Sequence, residues 1–494
     1  MSSPSAKGAA AAPAAQAQEA SLLDQVVSAT RPQDNTEAAR ARDYFKQFLN
    51  HVVKPGQVVS KDVETNIKTW ISEIDKKLTS QLNEVMHTEA FQKLESTWRG
   101  LHYLVFNSET GENLKIRVLN VKKEDLFKDL EKAVEFDQSA LFKKVYEEEY
   151  GQLGGQPYGL LIGDYEFSRH PEDINLLKMV SNVAAAAHAP FVSAASSKLF
   201  NMNNFTELTA PRDLAKIFEG VEYAAWKSFR ESEDSRYVAL TLPHVLGRLP
   251  YGDNFTRVSE FNFEEFVDGK DHSKYSWMNA AWAYAVRITD AYSKYGWMAR
   301  TRGVEGGGKV EGLPVHTFPT DDGDVAMKCP TEIAISDRRE FELSNLGFLP
   351  LLHSKGSDFA VFMGAQSANK PKTYFDPAAN ANAELSAKFN YILCVSRFAH
   401  YLKVMARDKI GSFMEVKDCE RWLNEWIMNY VVGNPETASD ETKAKKPLAQ
   451  ASIEVREVKG KPGWYEAIAY LRPHFQLETL STSMRLVAEV PKKS

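Results

Sequence analysis

Three short apolar runs constrain the fold more than any other part of the chain. They are Gly159-Leu160-Leu161-Ile162-Gly163, Phe191-Val192-Ser193-Ala194 and Tyr237-Val238-Ala239-Leu240-Thr241-Leu242. Each has the length of a buried strand and is too short for a helix. Residues from Ile174 to Ala187 lie between the first two and read as a helix, so the three segments make a βαβ-like unit. The predicted class is therefore α/β with added helices, a mixed α+β chain. Helical spacing marks Trp277 to Tyr295, with Trp277, Ala281, Tyr284, Ile288, Tyr292 and Tyr295 on one side. It recurs over Glu384 to Arg407 and over Asp418 to Val432, where Cys419, Trp422, Leu423, Trp426 and Tyr430 face inward.

The N-terminal part is also predicted to be helical. Ile67, Ile71, Ile74 and Leu78 are three or four apart, as are Phe91, Leu94, Trp98 and Leu101. Leu114 to Val118 alternates like a strand, and Lys123 to Tyr150 reads as a charged helix. Residues 1–20 are rich in Ala, Ser, Pro and Gln and cannot bury enough apolar surface to order themselves. Next comes a short amphipathic island, Ser21 to Thr30. Ser21 and Asp24 have capping-box spacing, and Leu22, Leu23, Val26 and Val27 share one face. A helix this short is marginal alone, so it must dock on its own domain or in a partner's groove.

The chain ends in strands. Ile453 to Val458 and Trp464 to Leu471 flank a Gly-Lys-Pro-Gly turn, after a polar linker from Gly433 to Pro447. Met484 to Val490 alternates and lies close to the C-terminus. It either pairs within its own sheet or is donated to the exposed edge of a neighbour's sheet. Each hydrogen bond of such a strand contributes roughly 1 kcal/mol, which accumulates in a polymer.

The 494 residues are enough for two or more domains, and the formal net charge of −6 does not point to a nucleic-acid surface. Cys329, Cys394 and Cys419 lie far apart, which argues against a zinc site or disulfide framework and suits the cytoplasm. No apolar run is long enough to span a membrane, and no signal peptide is recognised.

Two stretches invite an enzymatic reading. Gly303-Val304-Glu305-Gly306-Gly307-Gly308-Lys309-Val310 nearly spells a phosphate-binding loop, but Val310 stands where a metal-binding hydroxyl belongs. A P-loop also follows a strand, whereas a long helix precedes this one. Asp164 follows the first strand and His170 is close behind, a pair suited to acid–base work at a sheet's carboxyl end. The simpler reading is a helix start, with Pro171 in the first turn and Glu172 and Asp173 facing the helix dipole. His244 reads as a loop or interface residue, His400 as a packing residue, and Lys443, Lys445 and Lys446 as a solvated face.

Longer stretches carry a family resemblance. They include Tyr295-Gly296-Trp297-Met298-Ala299-Arg300, Arg302 to Gly308, and Val310-Glu311-Gly312-Leu313-Pro314. Arg248-Leu249-Pro250-Tyr251-Gly252, Phe341 to Phe348, Val395 to Val404, Asp408 to Phe413 and Leu471 to Glu478 agree. Together they resemble the large subunit of the type VI secretion contractile sheath, the TssC/VipB family, from about Leu22 to Val490.

The resemblance implies a structural protein without cofactor and without catalysis, in a multi-domain contractile-sheath fold. It implies pairing with a small sheath subunit of the TssB/VipA type and polymerisation with copies of itself. The sheath would surround an inner tube of the Hcp type, rise from a baseplate, and be recycled by a ClpV-type AAA+ unfoldase. No nucleic acid and no membrane insertion are implied. Residues 21–60 are then an unfoldase-recognition helix and linker outside the folded body, with Leu22, Leu23, Val26 and Val27 as anchors. An α/β domain is expected over 61–325 and a C-terminal core over 326–494. Met484, Leu486, Val487 and Val490 would form the exchanged strand. Lys417, Glu420, Arg421 and Glu425 would face the tube.

Overall fold

The strand Val238–Leu242 shows how the sequence makes the core: Val238, Leu240 and Leu242 point to one side of the sheet and Ala239 to the other, all fully buried. In the computed structural model, which describes residues 22–52, 63–412, 415–460 and 464–476, the chain divides into two units. Met484 to Val490 and Ser21 lie outside the described residues.

The smaller unit runs to Met86 and takes in Pro250–Phe266. It contains α1 (Leu22–Ala29), α2 (Asn35–Val52) and α3 (Val63–Met86). Asp34 starts α2 by accepting the Glu37 amide at 2.7 Å, and the Glu37 carboxylate accepts the Gln33 amide at 2.8 Å. The expectation that α1 stands outside the folded body is corrected here. α1 packs on α2 and α3, Val26 and Val27 are buried, and Asp24 pairs with Arg42. Residues 35–52 are a helix rather than linker. Asn83 of α3 works like a peptide group. Its Nδ2 donates to Glu264 O at 2.9 Å, and its Oδ1 accepts the Phe266 amide at 2.7 Å. The apolar spacing of α3 leaves Ile71, Leu78, Leu82 and Val85 exposed.

The larger unit holds α4 (Glu89–Phe106) and a six-stranded sheet. The sheet is built from β1 (Leu161–Phe167), β2 (Phe191–Ala195), β3 (Val238–Leu242), β4 (Lys309–Val310), β5 (Leu349–His353) and β6 (Ala360–Phe362), in the order β1-β2-β3-β5-β6-β4. The first four in that order are parallel, with Leu161 opposite Phe191, Val192 opposite Ala239 and Thr241 opposite Leu349. β6 runs antiparallel to both β5 and β4. Helix α5 (Pro171–Ala186) covers one face with Phe200, Trp226 and Phe348, and α6 (Ala280–Tyr295) covers the other with Tyr284 against Phe362. The boundary expected after residue 325 falls within this sheet, between β4 and β5, so it does not separate two domains.

Four segments differ from their periodicity. Leu114–Val118 has no strand partner among the described residues; Lys115 and Arg117 bind Gln156 and Glu149 through side chains instead. Lys123–Tyr150 breaks into the helix Lys123–Lys132, short turns and a π-helix over Lys143–Tyr150 whose last carbonyl accepts from Arg407 at 2.9 Å. α6 starts at Ala280 because Asn279 caps it, leaving Trp277–Met278 to pair with Val245–Leu246. The Glu384–Arg407 helix is two helices, Pro377–Ser386 and α7 (Phe389–Asp408), because residues 387–389 bond to Ala365 and Ser367. The linker before residue 447 contains a short helix, Asp440–Lys445, capped by Ser439.

A third core joins α7, α8 (Val416–Met428) and the antiparallel pair β7 (Leu448–Glu457) and β8 (Tyr465–Pro473). Trp297 lies at its centre, stacked on Phe398 at 4.0 Å with Tyr430 edge-on at 5.1 Å. Trp297→Ala is expected to cost about 3–5 kcal/mol in urea unfolding, the usual range for a buried aromatic. An unchanged midpoint would mean this cluster does not hold the C-terminal elements.

Candidate functional site

The enzymatic candidates are all engaged in structure. Asp164 accepts from Thr97 Oγ1 at 2.5 Å and from Trp282 Nε1 at 3.1 Å, fastening β1 to α4 and α6. His170 is instead the cap of α5, accepting the Glu172 amide at 3.4 Å, so the two do not form an acid–base pair. His400 donates Nε2 to the Ala187 carbonyl at 2.9 Å.

The glycine loop is a packed turn. Gly303 donates to the Phe362 carbonyl at 2.7 Å, and Gly308 accepts the Phe362 amide at 3.0 Å. Gly303 and Gly307 have φ of 72° and 90°, where glycine is favoured. A Cβ on Gly308 would come within 2.5 Å of the Phe362 carbonyl. Lys309 pairs with Glu311 and lies 4.4 Å over the Phe359 ring. The glycines therefore allow the backbone to press on β6, and the lysine head is already engaged. Gly308→Ala is expected to cost about 1–3 kcal/mol by overpacking; unaltered thermal unfolding would contradict this tight contact.

Sequence reasoning missed the part His244 plays. It sits at the carboxyl end of β3 between Glu332 (2.7 Å) and Glu166 (3.1 Å). Burial alone would lower its pKa, but the two carboxylates outweigh it and raise it to about 10. Burial likewise opposes charge on Glu166, yet His244 pulls it down to about 2. The partners lie 78 and 88 residues away in sequence, so no local motif announces them. The raised histidine stabilises fully below its unfolded pKa, about 6.5, and that contribution fades as pH rises towards 10. Glu166 stabilises above its unfolded pKa, about 4.3, and fades as pH falls towards 2. The Tm difference between wild type and His244→Gln is therefore expected to be largest near pH 5–6 and to shrink at both extremes. A difference independent of pH would contradict the ion-pair reading.

The two edges of the β7–β8 hairpin differ in their partners. The bond from the Val458 amide to the Trp464 carbonyl sets the pattern: even-numbered residues of β7 bond to β8, and odd-numbered ones point away. On β7 three of those outward groups are bonded to α8. Ile453 donates to Asn424 Oδ1 at 2.9 Å and its carbonyl accepts Asn424 Nδ2 at 2.6 Å. The Val455 amide donates to Glu420 Oε2 at 3.0 Å. On β8 the outward groups belong to Ala467, Ala469 and Leu471, and no strand among the described residues pairs with that edge. Lys417, Arg421 and Glu425 lie exposed along α8, with Arg421 near Asp418. Glu420 is turned away from that row, towards β7.

Residues 68–369 match the family model of the EvpB/VC_A0108 tail sheath N-terminal domain, and residues 378–490 match the tail sheath gpW/gp25-like domain. The division between them falls just before the helix Pro377–Ser386. The chain is 55% identical over 460 residues to the type VI secretion system sheath protein TssC1 of Pseudomonas aeruginosa, covering 92% of each.

Proposed function

The chain belongs to the VipB tail-sheath family of type VI secretion systems, and on that premise we propose that it works by assembly rather than by catalysis. It pairs with a small sheath subunit, polymerises with copies of itself around an inner tube in the cytoplasm, and shortens to drive the tube outward. The observation that carries this reading is the outer edge of β8 at Ala467, Ala469 and Leu471, which no strand among the described residues pairs, since such an edge is a template for another chain's strand. Met484, Leu486, Val487 and Val490 belong to the strand that a neighbour receives. The exposed apolar side chains Leu94 and Trp98 on α4 suit a subunit partner, as do Ile71 and Leu78 on α3.

Lys417, Arg421 and Glu425 present a solvated charged row for the tube, where weak contacts let the tube go. Leu22, Leu23, Val26 and Val27 serve a ClpV-type unfoldase. Because Val26 and Val27 are buried on α2 and α3, recognition requires α1 to leave that seat first. A baseplate starts the polymer, and no described helix is long and apolar enough to cross a membrane.

Co-expression with the small subunit is expected to give tubules in negative-stain electron microscopy. Deleting residues 484–494 is expected to leave the two subunits paired in solution and to abolish tubules. Tubules from the shortened chain would overturn strand donation.

A further inference from the structure

Helix α7 carries a row of basic residues into the seam between the two matched domains. α7 lies in the gp25-like match, whereas α5 and the π-helix Lys143–Tyr150 lie in the N-terminal match. All three belong to the larger unit. His400, Lys403 and Arg407 are three and four residues apart, so they share one face of α7. His400 Nε2 donates to the Ala187 carbonyl, at the end of α5, at 2.9 Å. Lys403 donates to the Tyr146 hydroxyl at 3.0 Å and lies 3.7 Å from the centre of the Tyr150 ring. Arg407 donates to the Tyr150 and Gln152 carbonyls at 2.9 and 2.7 Å. Carbonyls, a hydroxyl and rings meet the row, and none of these bonds is to a carboxylate.

The protonation of His400 follows from its two neighbours. A carbonyl only accepts, so Nε2 carries the ring proton. A guanidinium only donates, and Arg397 Nη1 lies 3.5 Å from Nδ1. Nδ1 is thus the lone-pair nitrogen and the one place a second proton can go. A proton there turns an acceptor into a donor that faces a donor, and brings two positive groups into contact. Arg397 is itself held, with Nη2 on the Tyr292 hydroxyl at 3.5 Å and its guanidinium over the Tyr401 ring at 4.8 Å.

The other groups around the imidazole do little to offset a new charge. His188, just past the end of α5, lies 6.3 Å from His400 between ring centres, and its Nδ1 is 3.2 Å from the Tyr237 hydroxyl. The π-helix presents the Tyr150 ring, 5.3 Å from His400 and 6.0 Å from His188. Asp234 and Arg236 act on Tyr237 rather than on either imidazole. Burial first, then Arg397, His188 and Lys403, oppose charge on His400; they outweigh the Ala187 carbonyl and bring its pKa down to about 4. Burial and Lys403 likewise hold His188 below its ordinary value.

We infer that the seam is an acid-sensitive latch: a proton on His400 Nδ1 sets it against Arg397 and releases α7, and with it the gp25-like domain, from the end of α5. The test uses the full chain with its small subunit. His400→Gln keeps a donor for Ala187 and cannot gain a proton. Because folding lowers the titration of His400 from about 6.5, the seam is fully held above pH 6.5 and loosens as pH falls towards 4. Between pH 7.5 and pH 4.5, wild type is expected to lose roughly a hundredfold in folding equilibrium constant relative to His400→Gln in urea unfolding. Parallel losses in the two proteins would overturn the latch. Should His400→Gln not fold, Arg397→Met removes the opposed donor and is expected to move the acid loss to lower pH; an unmoved profile would overturn the role of Arg397. Amide exchange, corrected for its intrinsic pH dependence, separates the seam from the whole subunit. From pH 7.5 to pH 5 the α7 amides of wild type are expected to exchange at least tenfold faster while those of β2 and β3 hold. Equal changes in α7 and the sheet would mean general acid unfolding and overturn the latch.

Discussion

The stack of Trp297 on Phe398, closed by Trp426 and Tyr430, fixes α8 against β7, and the behaviour of the hairpin follows from that placement. With the aromatic side chains interlocked, Glu420 and Asn424 lie in register with the outward groups of β7. A buried or half-buried strand edge must find hydrogen-bond partners. On one side of this hairpin a helix supplies them from the same chain. On the other side no strand among the described residues pairs with Ala467, Ala469 and Leu471.

The six-stranded sheet is a frame. Its parallel part resembles the scaffold of many enzymes, which place their chemistry at the carboxyl ends of the strands. Here those ends carry Asp164, bonded to Thr97 and Trp282, and His244, held between two carboxylates. The glycine loop has the same character, pressed onto β6 by backbone contacts that a side chain would block. A protein in a sheath must transmit force between neighbours, and polar groups that bond one element to another, as Asp164 and His244 do, suit that task.

The strands β1, β2 and β3 were legible in sequence because both faces are buried, which leaves unbroken apolar runs. The helices α5, α6 and α8 were legible by spacing, though their ends depended on caps such as Asn279 and on tertiary bonds at Ala387. Leu114–Val118 alternates without a described neighbouring strand, and pattern alone cannot supply one. The seat of α1 was not legible either, because a single apolar face fits its own domain or a partner equally well. The His244 cluster and the Asn424 contact join residues 78, 88 and 29 apart, beyond any local motif. The glycine-rich and aromatic stretches carried the family resemblance, and in the structure they build the loop against β6 and the aromatic core.

Amide hydrogen exchange, compared between the free subunit pair and the assembled polymer, is the most direct measurement of the central claim. If the open edge receives a neighbour's strand, the amides of Ala467, Ala469 and Leu471 exchange quickly in the free pair and slow by orders of magnitude on assembly. The Ile453 and Val455 amides, already bonded to α8, stay protected in both states. Equal exchange at Ala467, Ala469 and Leu471 before and after assembly would contradict the account.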